Sequence, residues 1–207
     1  MGRKVVVLLA AALASTAAAG KGAVSRQEEL LPSNNLFPKQ EIAKNIVNAR
    51  VTPYNNPKLY FEIGLPKNFE SQPLQVGPDV LGDDQHQLVP MARFEPKANP
   101  DDASIDIGYI RPPSTASLKD VVDKFADAMG LTYVLAQQGE FNKRTVFDAL
   151  LAGKGNKGPV LVRWTLSRRN DYVFAVVSSV LKDKYDLHKK VFGLAAVSFD
   201  PTGKPAE

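Results

Sequence analysis

The stretch Gly153-Lys-Gly-Asn-Lys-Gly158, followed by Pro159-Val-Leu-Val-Arg-Trp-Thr-Leu166, decides how the chain is read. Its glycines spell Gly-x-Gly-x-x-Gly, and Asp171 stands where a dinucleotide site would place the acid that holds a ribose. That fingerprint works because the glycines turn a strand into a helix whose first N–H groups hold the pyrophosphate. Here the residues after Gly158 are strand-like and carry no helical stripe, and Pro159-Val160 replace the Lys-Ser/Thr of a phosphate loop. The glycines are therefore expected to form a hairpin connection. Asn170-Asp171 in SRRNDY suit a second tight turn, because both residues tolerate positive φ and bond their own backbone.

With a two-residue turn at Asn170-Asp171, Val160, Val162, Trp164 and Leu166 share a face with Val173, Ala175 and Val177, and that face is expected to be the core. Leu161, Arg163 and Thr165 fall opposite Phe174, Val176 and Ser178 on a mixed surface that a second helix layer could cover. Outward from this hairpin, LTYVLAQQGEF and KRTVFDALLAG add two more strands, and such tight joins require antiparallel pairing. Upstream, LYFEIGLP, LVPMARFEP and ASIDIGYI read as three further strands. Between the two groups SLKDVVDKFADAMG predicts a helix. Ser117 and Asp120 form its capping box, Gly130 closes it, and Leu118, Val121, Val122, Phe125 and Met129 make one apolar stripe. Asp120, Asp123 and Asp127 lie opposite the stripe with Lys119 and Lys124, as on a solvated face. A last helix carries Tyr185, His188, Phe192 and Ala195 on one side. The order predicts an α+β domain with a mainly antiparallel sheet and helices packed on it.

At the N-terminus, basic Arg3-Lys4, an apolar run from Val5 to Ala14 and the small residues Ala17-Ala18-Ala19 have the layout of a secretory signal over residues 1–19. The apolar run is shorter than the ~20 residues that span a bilayer, and a retained anchor is the alternative reading. Residues 20–50 read as an arm interrupted by Pro32 and Pro38, with a short helix placing Ile42, Ile46 and Val47 at helical spacing. Residues 51–200 are expected to form the single domain and 201–207 a tail. The chain has no cysteine, so neither disulfides nor a thiol nucleophile enter. Loss of Arg3 and Lys4 with the signal lowers the formal charge from +4 to +2, too little to demand nucleic acid or anionic lipid.

Lys154 and Lys157 lie at the opposite end of a strand from Arg168 and Arg169, ~30 Å away, several screening lengths apart. A nucleic-acid stripe is therefore not expected. Asp83, Asp84 and His86, or Asp101 and Asp102, could hold a cation weakly, but neither group has calcium-loop spacing. His86 and His188 are the two histidines available to a hydrolase, and neither G-x-S-x-G nor H-E-x-x-H appears. No cofactor or metal is expected.

The strand Leu59 to Leu65 ending in Pro66, Phe69 shortly after, the run YVFAVVSS and the closing Ser198-Phe199 resemble the Mog1/PsbP-like fold over Tyr54 to about Asp200. Asn68-Phe69 stand where members carry Gly-Trp. The resemblance implies an α/β/α sandwich with a central antiparallel sheet, and a non-catalytic domain that docks onto a larger assembly. PsbP-type members resemble extrinsic subunits of a photosynthetic membrane complex, and Mog1 resembles a binder of a small GTPase. The expected function is thus an exported, periplasmic or secreted accessory protein bound to an envelope complex, of a secretion or transfer apparatus. Its candidate contact residues are Phe37, Arg163, Arg168 and Arg169. The alternatives are a small-ligand or cation module, with its pocket between sheet and helix or near Asp83 and His86, and a hydrolase using His86.

Overall fold

The computed structural model describes residues 25–74, 84–100 and 102–201. The signal segment 1–19, the start of the arm, Asp83, Asp101 and the tail beyond Pro201 lie outside the described residues.

The chain beyond Gly158 is extended. Strands β6 (Thr132–Phe141), β7 (Arg144–Gly155), β8 (Gly158–Arg169) and β9 (Tyr172–Leu181) form an antiparallel meander. Its turns are Asn142-Lys143, Asn156-Lys157 and Asn170-Asp171, closed by the pairs Phe141–Arg144, Gly155–Gly158 and Arg169–Tyr172. Each turn needs a left-handed residue at or beside its tip: Asn142 (φ 50°), Gly158 (φ 139°) and Asn170 (φ 53°) supply it. On the far side of β9 the sheet continues through β5 (Ala103–Ile110), β4 (Val89–Pro96) and β3 (Phe69–Gln72), giving seven strands in the order β3-β4-β5-β9-β8-β7-β6.

Two short helices, α1 (Arg26–Leu30) and α2 (Lys39–Asn45), precede β1 (Ile46–Val51), which pairs with β2 (Phe61–Pro66) in a separate two-stranded sheet. Ile46 and Val47, expected on a helix, are therefore strand residues. Ile46, Val47 and Val51 are stiff at χ1 and suit a pleated surface better than a helix. Helix α3 (Leu118–Met129) has the capping box expected of Ser117 and Asp120, with Gly130 at φ 64°. Met129, expected in its buried stripe, is 56 % exposed.

Helix α4 (Tyr185–Ser198) lies on the sheet face opposite α3. The Trp164 face is buried beneath α3, with Val162, Leu166, Val173 and Ala175. The larger cluster, however, lies on the face expected to be a mixed surface. There Leu161, Phe174 and Val176 pack with Ile105, Phe61, Phe192 and Leu31. Both faces are core because α4, β1–β2 and the arm together cover the second one. The result is an α+β sandwich with helices on both sides of an antiparallel sheet.

Candidate functional site: an apolar groove beside the C-terminal helix

The site is assembled by the way the arm docks. Asp148 on β7 and Arg163 on β8 have fully buried side chains. Arg163 donates from Nε and Nη2 to the two Asp148 carboxylate oxygens at 3.0 and 2.8 Å, and from Nη1 to the Pro32 carbonyl at 2.9 Å. Thr165 and Gln137 donate to the same carboxylate at 2.8 and 3.1 Å. A buried ion pair survives only when its partners are hydrogen-bonded in turn, and here each guanidinium nitrogen and both carboxylate oxygens have a partner. The Tyr185 hydroxyl donates to the Leu30 carbonyl, and burial pushes its pKa well above the usual range. Gly193 on α4 supplies the space: a Cβ there would stand 2.2 Å from the Pro32 oxygen. Leu31, between the two anchored carbonyls, is fully buried in the main core. From Ser25 onward the arm is thus packed against the domain.

This docking corrects the role foreseen for Arg163. Expected at a contact surface, it is buried, and it ties the arm to the sheet because Asp148 neutralises it. Arg168 and Arg169 are half-buried and hold backbone carbonyls of their own chain, those of Ala116 (2.7 Å) and Pro201. Arg168 also borders a polar pocket of about 320 Å³ with Arg111 and Asp171, whereas Phe37 is the candidate that lies on an apolar concave surface. With Ile46, Phe69, Leu187, His188 and Val191 it lines a groove of about 510 Å³ between α2, the β-strands and α4. Glu41 and Lys67 stand among its polar residues. Leu187 is 74 % exposed, and Val191 follows one turn later on the same side of α4.

His188 is the groove's titratable ring. It stacks on Phe192 with centroids 6.1 Å apart, and its buried Nε2 has no hydrogen-bond partner among the described residues. Burial holds its pKa below the ordinary histidine value, against the pull of Asp102. The groove therefore offers apolar area and a neutral imidazole.

A second cavity, of about 380 Å³, opens between the sheet and α3, lined by His86, Leu88, Asp106, Phe125, Met129 and Trp164. Phe125 stacks on Trp164 at 5.4 Å, and the buried indole N–H lacks an acceptor among the described residues. Asp106 is held above the usual carboxylate range by burial, opposed by Arg93 at 3.3 Å. The acids proposed for a cation are differently engaged. Asp84 receives the Arg111 guanidinium at 2.5 and 2.8 Å, and Asp102 is paired with Lys184. Ser104 donates to Asp106 (3.0 Å) and shares a hydrogen bond with Ser179 (2.9 Å).

No protein-family profile matches the chain, and no curated protein matches its sequence. Solved structures do match in shape. Cyanobacterial PsbP from Synechocystis superposes with a TM-score of 0.54 at 12 % identity, over 75 % of this chain and 92 % of its own. The protein has the Mog1/PsbP-like fold. A mutant of the protein Mog1 (TM-score 0.49, 14 % identity, 74 % of this chain, 95 % of its own) and LpqN of Mycobacterium tuberculosis (0.48, 9 %, 79 % and 96 %) also superpose. At such identities the Mog1/PsbP-like likeness is one of fold, so the groove and the cavity stand on their own geometry.

The Asp148–Arg163 pair was missed by sequence reasoning, although a signal existed. The Gly155–Gly158 hairpin register places Asp148 opposite Thr165 and Arg163 opposite Leu150, so the acid and the base are diagonal neighbours on one face. The groove had no comparable signal. Phe37 and Leu187 are brought together only by the path of the arm.

Proposed function

We propose that this chain is an exported, non-enzymatic accessory protein that binds a larger protein complex in the bacterial envelope, one belonging to a secretion or transfer apparatus. The observation that carries this reading is the groove. Leu187, three-quarters exposed, joins Phe37, Ile46, Phe69 and Val191 in one apolar concavity, and contiguous apolar surface of that kind marks a docking site where a lone exposed leucine would not. The groove's titratable ring is neutral and packed, which suits docking better than proton transfer. The signal-like N-terminus supports export, and the Mog1/PsbP-like fold supports a scaffold role by analogy.

A photo-crosslinking amino acid placed at Leu187 in cells is expected to trap one discrete envelope protein, and Phe37→Asp is expected to abolish that adduct. The same adduct from a crosslinker at Lys143, or none at Leu187, would count against the reading.

The cavity beneath α3 supports a second reading, a small-ligand module. Its apolar wall and single carboxylate suit a small amphiphile with one polar end. A ligand-library thermal shift that Asp106→Asn removes would favour it; a flat response would set it aside.

A further inference from the structure

The two edges of the seven-stranded sheet differ. β3 is four residues long, whereas β6 runs for ten, TYVLAQQGEF, and among the described residues β7 is the one strand paired with it. Proteins blunt long edges with Lys, Pro or bulges. β6 contains no Lys, Arg or Pro, and its one irregularity is the register shift between Tyr133 and Leu135. Phe141 and Arg144 close the turn as a hydrogen-bonded pair, so Gly139, Gln137 and Leu135 spend their amides and carbonyls on β7. By the same alternation Ala136, Gln138 and Glu140 turn theirs outward, and all three are exposed.

We infer that β6 is a strand-addition site whose occupant is an extended segment of a partner protein, paired antiparallel, basic at its N-terminal end and apolar at its C-terminal end. This deepens the docking function proposed above and rests on that reading. Polarity chooses the occupant. One half of the edge carries Tyr133 and Val134, 38 % and 42 % exposed, and the other carries Gln138 and Glu140, the only charged residue of the strand. Tyr133 is fixed by its hydroxyl, which donates to Asp123 at 2.7 Å, and Lys119 sits 5.4 Å over its ring. A second copy pairing its own outward amides about a two-fold at Ala136 would set Gln138 against Val134 and Glu140 against Thr132. Moving the two-fold to Gln137 sets Glu140 against Val134. Either register opposes apolar to polar and leaves the carboxylate unanswered. An antiparallel partner strand with Lys or Arg opposite Glu140 and a β-branched residue opposite Val134 satisfies both ends.

The test uses the full mature chain and a displayed library of random octapeptides. Selection is expected to enrich peptides that are basic first and apolar later. By fluorescence polarisation these should bind Gln138→Pro at least ten-fold more weakly, since proline removes an outward N–H that β7 does not use. Leu187→Asp should bind them as wild type does. Should Gln138→Pro fail to fold, Glu140→Lys serves instead and is expected to switch the preferred first residues from basic to acidic. No enrichment, undiminished binding to Gln138→Pro, or an unchanged preference in Glu140→Lys would overturn the inference. So would a wild-type dimer in sedimentation that Gln138→Pro dissociates, which would assign the edge to a second copy. The crosslink at Leu187 reads the groove separately, so loss of one result leaves the other interpretable.

Discussion

The two faces of the central sheet handle charge in opposite ways. On the α4 face, the arm, the β1–β2 sheet and the helix exclude water, and the Arg163–Asp148 pair survives there because Pro32, Thr165 and Gln137 complete its hydrogen bonds. On the α3 face a single helix covers the region around Trp164 and Ala149, and the row continues across the sheet through Val177 to Asp106 and Arg93. There Arg93 meets Glu95 at 2.7 Å and Asp106 at 3.3 Å while remaining 43 % exposed. The covered face made its charges structural. The half-covered face left the Arg93 guanidinium partly in water beside an open cavity, and the contrast teaches that a charge inside a strand marks function only after its coverage is known.

The sharpest way to break this comparison is to remove the cation on each side. Arg163→Met leaves Asp148 buried and unpaired, and should cost about 3–5 kcal/mol, a fall in Tm of roughly 10 °C or more for a chain of this size. Arg93→Met should cost about 0–1 kcal/mol. Adding Asp148→Leu to Arg163→Met is expected to recover most of the loss, because the pair's worth lies in mutual satisfaction. Similar losses for the two arginine variants in urea unfolding would refute the distinction between the faces.

The arm gives the next largest effect. Leu31→Ala empties a fully buried position and should cost about 2–4 kcal/mol. Gly193→Ala puts a methyl against the Pro32 carbonyl and should loosen the same segment, seen as protease cleavage between Arg26 and Lys39 while the sheet stays intact. Were the arm a detachable linker, neither variant would change Tm or cleavage.

How much of this was legible follows from the range of each signal. The hairpins were readable because Asn170-Asp171 and the Gly153–Gly158 stretch carry local turn chemistry, and one turn fixes the facing of every residue from Val160 to Val177. Helix α3 was readable from its caps, which are local as well. The arm was not, since Pro32 and Pro38 break any periodicity and the carbonyls flanking Leu31, those of Leu30 and Pro32, are held by residues more than a hundred positions away. Ile46 and Val47 fit helical spacing over too short a window to exclude a strand, and pairing with Leu65 and Pro66 decided the matter. Phe37 could be singled out, but its neighbours in the groove could not, because that proximity exists only once the arm has docked.

A smaller contrast lies between the aromatic rings that pack under the two helices. Phe192 under α4 is fully buried, whereas Phe125 under α3 is half-buried against Trp164. Phe192→Ala should cost about 3–5 kcal/mol and Phe125→Ala about 1–2 kcal/mol, with the second enlarging the cavity beneath α3. Equal losses in chemical denaturation would mean that α3 seals its face as thoroughly as α4 does.

The smallest effect expected is a proton-linked one at the rim of the covered face. His188 packs on Phe192, with Asp102 raising and Lys184 and burial lowering its pKa, and the net shift is downward. In the unfolded chain the ring takes its proton near pH 6.5, whereas the folded ring resists it. Above that pH both states are neutral and the residue contributes its full packing. As pH falls toward the folded pKa the unfolded state binds the extra proton, so stability drops. The Tm of the wild type should therefore fall more between pH 7.5 and 5.5 than that of His188→Gln, whose side chain does not titrate. Parallel Tm–pH curves would mean that the ring reaches water on the groove side, and the groove would then be wetter than its Phe37, Phe69 and Leu187 walls imply.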